Sequence, residues 1–137
     1  MTLITNLRVV GALLLLLGAS HAFFNRYFGW DRELQNVSLL TRQIFYVHTF
    51  FIGLAVVLAG AGSLLYANAL VRPEALSRAI LAGLVAFWLC RLLAQFVAYD
   101  SAIWRGNRFR TFMHAAFSLF WCYVAATYGI ALIKVWN

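Results

Sequence analysis

The sequence predicts an all-α integral membrane protein, a four-helix bundle with up-down-up-down topology. Hydrophobic residues make up 64% of the 137 positions and charged residues 11%, and the mean hydropathy is +0.82. Soluble domains carry about 25% charged residues, so the composition argues against a soluble fold. The apolar residues also gather into four long runs with short polar connections, as in multi-pass membrane proteins. With one Pro and no low-complexity stretch, we expect a single domain over residues 1–137.

The four predicted spans cover residues 9–24, 44–70, 79–99 and 111–135. A helix that rises about 1.5 Å per residue needs about 20 residues to cross about 30 Å of hydrocarbon. The last three spans meet that length, and the first reaches it only with its polar flanks. The first run also resembles a secretory signal, since Arg8 precedes a Leu-rich core that ends at Gly18-Ala19-Ser20. We expect this segment to be retained as a helix.

Basic residues mark the ends of the spans. The chain has 11 Lys and Arg against 4 Asp and Glu, a net charge of +7, and all of the bases except Arg91 lie at span ends or in connections. This placement is typical of contact with lipid headgroups, so we expect membrane lipids and no nucleic acid as partners. The loops over residues 26–43 and 100–110 hold more bases than the side that carries both termini. The positive-inside rule therefore favours cytoplasmic loops in a bacterial plasma (inner) membrane.

Arg91 is the exceptional base, because it lies inside a predicted span. A charge at that depth costs about 2.5–3.5 kcal/mol on insertion scales, and such a residue usually faces the protein interior and has a partner. Gln95 and Tyr99 follow Arg91 at four-residue steps, and Trp88 precedes it by one turn. These residues share one helix face, so the spacing predicts a polar site around Arg91.

Polar residues of the other spans lie near the same depth. Counted from the loop-side ends of the spans, His21 and His114 are about 6 Å deep, His48 about 9 Å and Arg91 about 13 Å. Ser118 lies one turn deeper than His114 on the same helical stripe. Because these residues come from four spans, we predict one polar pocket in the loop-side half of the bundle.

Three functions fit such a pocket. The first is binding of a lipid-like or quinone-like amphiphile. The planar guanidinium of Arg91 suits a carboxylate or phosphate, and the other ligand-binding candidates are Gln95, Tyr99, His48, His114, His21, Ser118 and Trp88. The second is an internal polar cluster, with Arg91 bonded to backbone carbonyls or Tyr99, in a non-catalytic accessory subunit of a larger membrane complex or a homo-oligomer. The third is non-covalent bis-His haem binding, with His48 and either His114 or His21 as axial ligands.

Catalysis is disfavoured by the motifs that the chain lacks. Neither GxSxG nor HExxH is present, and no intramembrane carboxylate accompanies the histidines. The two cysteines, Cys90 and Cys122, show no CxxC spacing, and we expect buried, inert thiols. We therefore expect no enzyme, and any cofactor other than haem is left open.

The loop-side end of the bundle is rich in aromatic residues. They indicate either an interfacial belt or the wall of a pocket for an amphiphile. The segment Trp30-Asp31-Arg32-Glu33 in the first loop predicts a short surface helix, with Asp31 or Glu33 paired to Arg32 or Arg42.

Several of these residues belong to a sequence pattern that resembles that of a group of small bacterial four-helix membrane proteins with no assigned activity. The pattern is His21…Gly29-Trp30…Arg42-Gln43…His48-Thr49-Phe50-Phe51-Ile52, followed by Arg91…Gln95. The resemblance covers most of the chain. It implies the four-helix membrane fold and no particular activity.

Overall fold

The computed structural model describes residues 2–137, and these residues form helices and no strand. The helices are α1 (Leu3–Phe28), α2 (Trp30–Glu33), α3 (Leu39–Leu65), α4 (Ala67–Leu70), α5 (Ala75–Val97) and α6 (Arg108–Trp136), with a 3-10 turn at Ser101–Ile103. Four of them, α1, α3, α5 and α6, are long and apolar enough to cross a membrane. The predicted all-α fold is confirmed, and the chain is consistent with a multi-pass integral membrane protein.

Two of the long helices, α3 and α6, begin at polar caps that lie outside the apolar runs. Ser38 precedes α3, and its Oγ accepts a hydrogen bond from the Thr41 N–H at 3.2 Å. Asn107 caps α6 in the same way, with its Oδ1 3.0 Å from the Arg110 nitrogen. A capped helix starts at its cap, where the side chain satisfies a free N–H group. For this reason α3 and α6 start before the predicted spans at 44 and 111.

The chain divides into two compact units, residues 8–67 and residues 2–7 with 68–137. In the first, the α1–α3 unit, the two helices run antiparallel with glycines at their contact. A Cβ on Gly60 would lie 2.9 Å from the Gly11 carbonyl oxygen, and one on Gly53 would lie 3.0 Å from the His21 Cβ. Such distances leave no room for a side chain. Small residues therefore allow close backbone approach here, as in many membrane helix pairs.

The second, the α5–α6 unit, also contains an antiparallel helix pair. Near its N-terminal end, α5 contacts the last turn of α6, where Arg78 Nε donates to the Val135 carbonyl oxygen at 2.9 Å. Near the opposite end, Gln95 of α5 bonds His114 of α6. The buried residues share one face of each helix. They recur at four- and seven-residue steps on α5 and mostly at three- and four-residue steps on α6, namely Ser77, Leu81, Trp88 and Gln95 on α5 and Trp121, Val124, Ala125, Thr127, Tyr128, Ala131 and Val135 on α6.

Both cysteines lie outside this buried face. Cys90 and Cys122 are free and exposed, so the expectation of buried thiols was wrong. Cys122 follows the buried Trp121 by one residue, a rotation of about 100° around the helix, and Cys90 follows Trp88 by two residues, about 200°. Apolar neighbours in the sequence therefore predict that a cysteine lies within a span, but they do not predict whether it faces the interior of the helix pair.

The loop after α1 forms the predicted short helix, but with other contacts than expected. The Asp31 carboxylate accepts hydrogen bonds from the Tyr46 hydroxyl at 2.8 Å and from the Asn25 amide at 3.2 Å. The predicted ion pairs of Asp31 or Glu33 do not form, since the one ion pair within residues 2–137 joins Arg72 and Glu74. Hydrogen bonds to neighbouring helices, not basic side chains, hold this carboxylate.

Candidate functional site around Arg91

Arg91 and Gln95 form a hydrogen bond along one face of α5. The Nη1 group of Arg91 donates to Gln95 Oε1 at 3.1 Å. Gln95 is buried, with 6% of its surface exposed, and Arg91 is half-buried. The pair follows from the sequence itself, because residues four apart are neighbours on a helix surface.

Gln95 extends this contact to α6, where its Nε2 lies 2.9 Å from His114 Nδ1. An amide nitrogen can only donate, so Nδ1 accepts and the neutral imidazole carries its proton on Nε2. The direction of the Gln95 amide is set by Arg91, whose guanidinium can only donate and therefore takes the amide oxygen. Arg91 thus determines, through Gln95, which nitrogen of neutral His114 is a donor.

Two tryptophans form the other side of the site. The Cζ atom of Arg91 lies 4.6 Å from the centroid of the Trp121 ring, a cation–π contact. The Trp121 ring is stacked in turn on Trp88, with centroids 5.2 Å apart and an interplanar angle of 15°. Both indole Nε1–H groups are buried and have no hydrogen-bond partner within the described residues.

The loop between α5 and α6 covers His114. The Trp104 ring is stacked on the imidazole, with centroids 3.9 Å apart. Thr111 anchors this loop by donating its hydroxyl to the Trp104 carbonyl oxygen at 2.9 Å. One turn after His114, the Ser118 hydroxyl donates to the His114 carbonyl oxygen at 2.8 Å. These contacts hold the imidazole between the loop and the Gln95 amide.

The site is rich in hydrogen-bond donors and contains no acidic group. In the part of the chain that the structure describes, Arg91 forms no ion pair. An open surface depression at the start of α6 is lined by Gly106, Asn107, Arg108, Thr111 and Phe112, and it does not include Arg91. The guanidinium charge is thus compensated only by the Gln95 oxygen and the Trp121 ring.

Of the predicted site residues, the structure brings together Arg91, Gln95, His114 and, through the tryptophan stack, Trp88. Ser118 contacts this group through the backbone of His114. Tyr99 lies beyond the last residue of α5, Val97, and is 46% exposed, so the stripe that begins at Trp88 ends at Gln95.

The other two histidines belong to the α1–α3 unit and bond within their own helices. His21 Nδ1 lies 2.8 Å from the Leu17 carbonyl oxygen, and His48 Nδ1 lies 2.8 Å from that of Ile44. His21 is half-buried near Gly53, whereas His48 is exposed. His48 precedes Gly53 by five residues, about 140° around α3, so it points away from the face that meets α1.

These hydrogen bonds determine which ring nitrogen of each histidine keeps a lone pair that could bind a metal. A carbonyl oxygen accepts, so neutral His21 and His48 carry the proton on Nδ1 and keep a lone pair on Nε2. Neutral His114 has the opposite tautomer, with its Nε2 lone pair replaced by a proton. Residues 2–137 include no group of three or more His, Cys, Asp or Glu side chains placed to hold a metal ion. Haem binding stays a prediction.

Sequence reasoning did not single out Trp121 as a site residue, and it counted Trp104 only among the aromatic residues at the loop-side end of the bundle. Trp121 follows His114 by seven residues, and Gln95 follows Trp88 by the same interval. A seven-residue step returns to nearly the same helix face, so this signal could have identified Trp121. Nothing comparable marks Trp104, because its position depends on the path of the loop.

No protein family, curated protein or solved structure matches the chain.

Proposed function

We propose that this protein binds a lipid-like or quinone-like amphiphile, with the polar head at Arg91 and the apolar part in the membrane. One observation carries the proposal. A guanidinium has five N–H donors. In the described part of the chain, one donor of Arg91 forms a hydrogen bond, to Gln95. The other four have no protein partner, although Arg91 lies about two turns from the end of an apolar helix.

The energetics of unpaired donors support this assignment. A donor removed from water without a partner costs about 1–3 kcal/mol, and more when the group is charged. Oxygen atoms of a bound head group would satisfy the donors of Arg91 and restore the lost interactions.

The orientation of the protein is part of the proposal. We place the loops over 26–43 and 100–110 on the cytoplasmic side, because they hold more bases than the opposite side. The test is labelling of Asn36→Cys and Asn137→Cys in a background without Cys90 and Cys122, with a membrane-impermeant thiol reagent applied to intact cells. Labelling at 137 and not at 36 is expected, and the reverse pattern contradicts this orientation.

The binding function is tested by native mass spectrometry of the protein in mild detergent. We expect the wild-type chain to retain a bound amphiphile of defined mass and Arg91→Leu to lose it while remaining folded. Arg105→Leu, which removes an exposed loop arginine, is the matched control and should keep the bound mass. Equal retention by Arg91→Leu and the wild type contradicts the proposal.

Mass and absorption spectra of the same purified sample distinguish the alternative functions. An accessory subunit would release a second polypeptide of constant mass in place of an amphiphile. A haem protein would show a Soret band in the absorption spectrum of the same sample. Either result, without a bound amphiphile, replaces the proposed function.

A further inference from the structure

We infer that the bound head carries net negative charge, as a phosphate or carboxylate, and is neither a neutral quinone nor a zwitterion. This inference rests on the proposed function and narrows its ligand. It follows from the charges and the hydrogen-bond types at the site.

The first step concerns charge. Arg91 is permanently protonated, and in residues 2–137 no carboxylate lies within ion-pair distance of it. A charge in an apolar layer is stabilised chiefly by an opposite charge at close range. Since the helix pair supplies none, a neutral head would leave Arg91 without a counter-ion, whereas an anion neutralises its charge.

The second step concerns hydrogen bonding. The unpartnered groups nearest Arg91 are chiefly donors, namely the remaining N–H groups of Arg91 itself and the Nε2–H of neutral His114. The one side-chain carbonyl oxygen, that of Gln95, already accepts from Arg91. Phosphates and carboxylates only accept, and their bonds to a guanidinium are charge-assisted. A head with its own donors or a positive group meets little more than the second lone pair of that oxygen.

The third step concerns the indoles. Trp88 is 1% exposed and Trp121 is 4% exposed, yet neither Nε1–H has a partner in the described residues. Buried polar groups in native proteins are rarely left unbonded. Their ring faces contact each other and, at Trp121, the Arg91 guanidinium, so the packed region beside Arg91 contains more donors than acceptors.

The test compares amphiphiles that share two oleoyl chains and differ in the head: phosphatidylglycerol (anionic), phosphatidylcholine (zwitterionic) and diacylglycerol (neutral), with decylubiquinone as a quinone. Each is added to the delipidated full chain in mild detergent, and retention is read by native mass spectrometry. We expect phosphatidylglycerol to be retained about tenfold better than the others. Oleate and inorganic phosphate are added as competitors. Displacement by oleate alone indicates a lipid anion, and displacement by inorganic phosphate indicates an anion from solution.

The decisive variant is Gln95→Glu, which places a carboxylate where the amide oxygen now accepts from Arg91. This internal counter-ion should reduce phosphatidylglycerol retention about tenfold and leave the chain folded, as judged by circular dichroism. Gln43→Glu makes the same chemical change at an exposed position and should retain the lipid like the wild type. Wild-type retention by Gln95→Glu overturns the inference.

The outcomes also separate this inference from the function on which it rests. If the wild type retains decylubiquinone or diacylglycerol as well as phosphatidylglycerol, and Arg91→Leu loses them all, amphiphile binding stands and the anionic head is wrong. If the wild type and Arg91→Leu retain every amphiphile equally, both are wrong. If Gln95→Glu fails to fold, the selectivity of the wild type among the four heads still decides.

Discussion

The guanidinium of Arg91 on α5 lies over the indole of Trp121 on α6, with Cζ 4.6 Å from the ring centroid. The charge that distinguishes the third span therefore has an aromatic partner on the neighbouring helix, in addition to Gln95 on its own helix. A cation–π contact stabilises the charge without using its hydrogen-bond donors. This combination holds Arg91 in place, and in the described residues its remaining N–H donors have no protein partner.

A double-mutant cycle measures the energy of this contact. We expect Arg91→Met and Trp121→Leu to be coupled by about 0.5–2 kcal/mol in the free energy of unfolding, measured in mixed micelles. Trp136→Leu is the control, because Trp136 lies near Arg78 at 5.7 Å instead. A coupling of Arg91 to Trp121 no larger than its coupling to Trp136 would show that the cation–π contact contributes nothing.

The glycine contact of the α1–α3 unit predicts a position-dependent effect of a single methyl group. Gly60→Ala would bring Cβ within 2.9 Å of the Gly11 oxygen and the Leu15 nitrogen, so we expect it to cost about 1–3 kcal/mol of unfolding free energy. Gly62→Ala meets no atom within 4 Å. It should be neutral, or stabilising by up to about 1 kcal/mol through helix propensity. Equal thermal stability of the two variants would refute the close packing.

The hydrogen bond from Tyr46 lowers the pKa of Asp31 below its ordinary value of 3.8, assisted by Asn25 and by the positive charge of Arg42, with burial acting the other way. A lowered pKa in the folded state means that the ionised carboxylate stabilises the fold above pH 3.8. This stabilisation is lost as the pH falls below that value through the lowered pKa. We therefore expect the Tm difference between the wild type and Tyr46→Phe to be constant near neutral pH and to shrink below pH 3.8.

The control for this titration is Tyr27→Phe, since Tyr27 is 70% exposed and makes a ring contact with Phe28. Its Tm difference from the wild type should show no such change with pH. A Tyr46→Phe difference that stays constant down to about pH 2 is incompatible with stabilisation by the ionised carboxylate.

The hydrogen bonds from Arg91 to Gln95 and from Gln95 to His114 predict the tautomer of neutral His114, which nitrogen NMR can measure. In neutral rings, the ¹⁵N shifts should identify Nε2 as the protonated nitrogen of His114 and Nδ1 as that of His21 and His48. Gln95→Ala should remove this preference at His114 alone, because the amide donor is gone. A protonated Nδ1 at neutral His114 in the wild type would mean that the Gln95 amide has the opposite orientation.

Parts of the site were accessible from local periodicity. The bond between Arg91 and Gln95 follows from a four-residue step within one helix, a relation that does not depend on the rest of the fold. Tyr99 follows Gln95 by another four residues, but α5 ends at Val97, so the helical spacing no longer applies to Tyr99. Depth counting placed His114 at a similar level to Gln95, and the structure pairs them. The same counting could not distinguish His48, which is exposed, because depth specifies a level in the membrane and not a direction around the helix.

The sequence by itself determined the class of the protein: an all-α chain with four helices long and apolar enough to cross a membrane, and one arginine deep in the third. Composition and run length suffice for this, because the hydrocarbon thickness and the helix rise are constants. Only the tertiary structure decided what surrounds Arg91. The rotation of α6 places Trp121, not Cys122, beside the guanidinium, and the loop path brings Trp104 onto His114. Both depend on side-chain packing between segments, which a linear pattern of hydrophobicity does not encode.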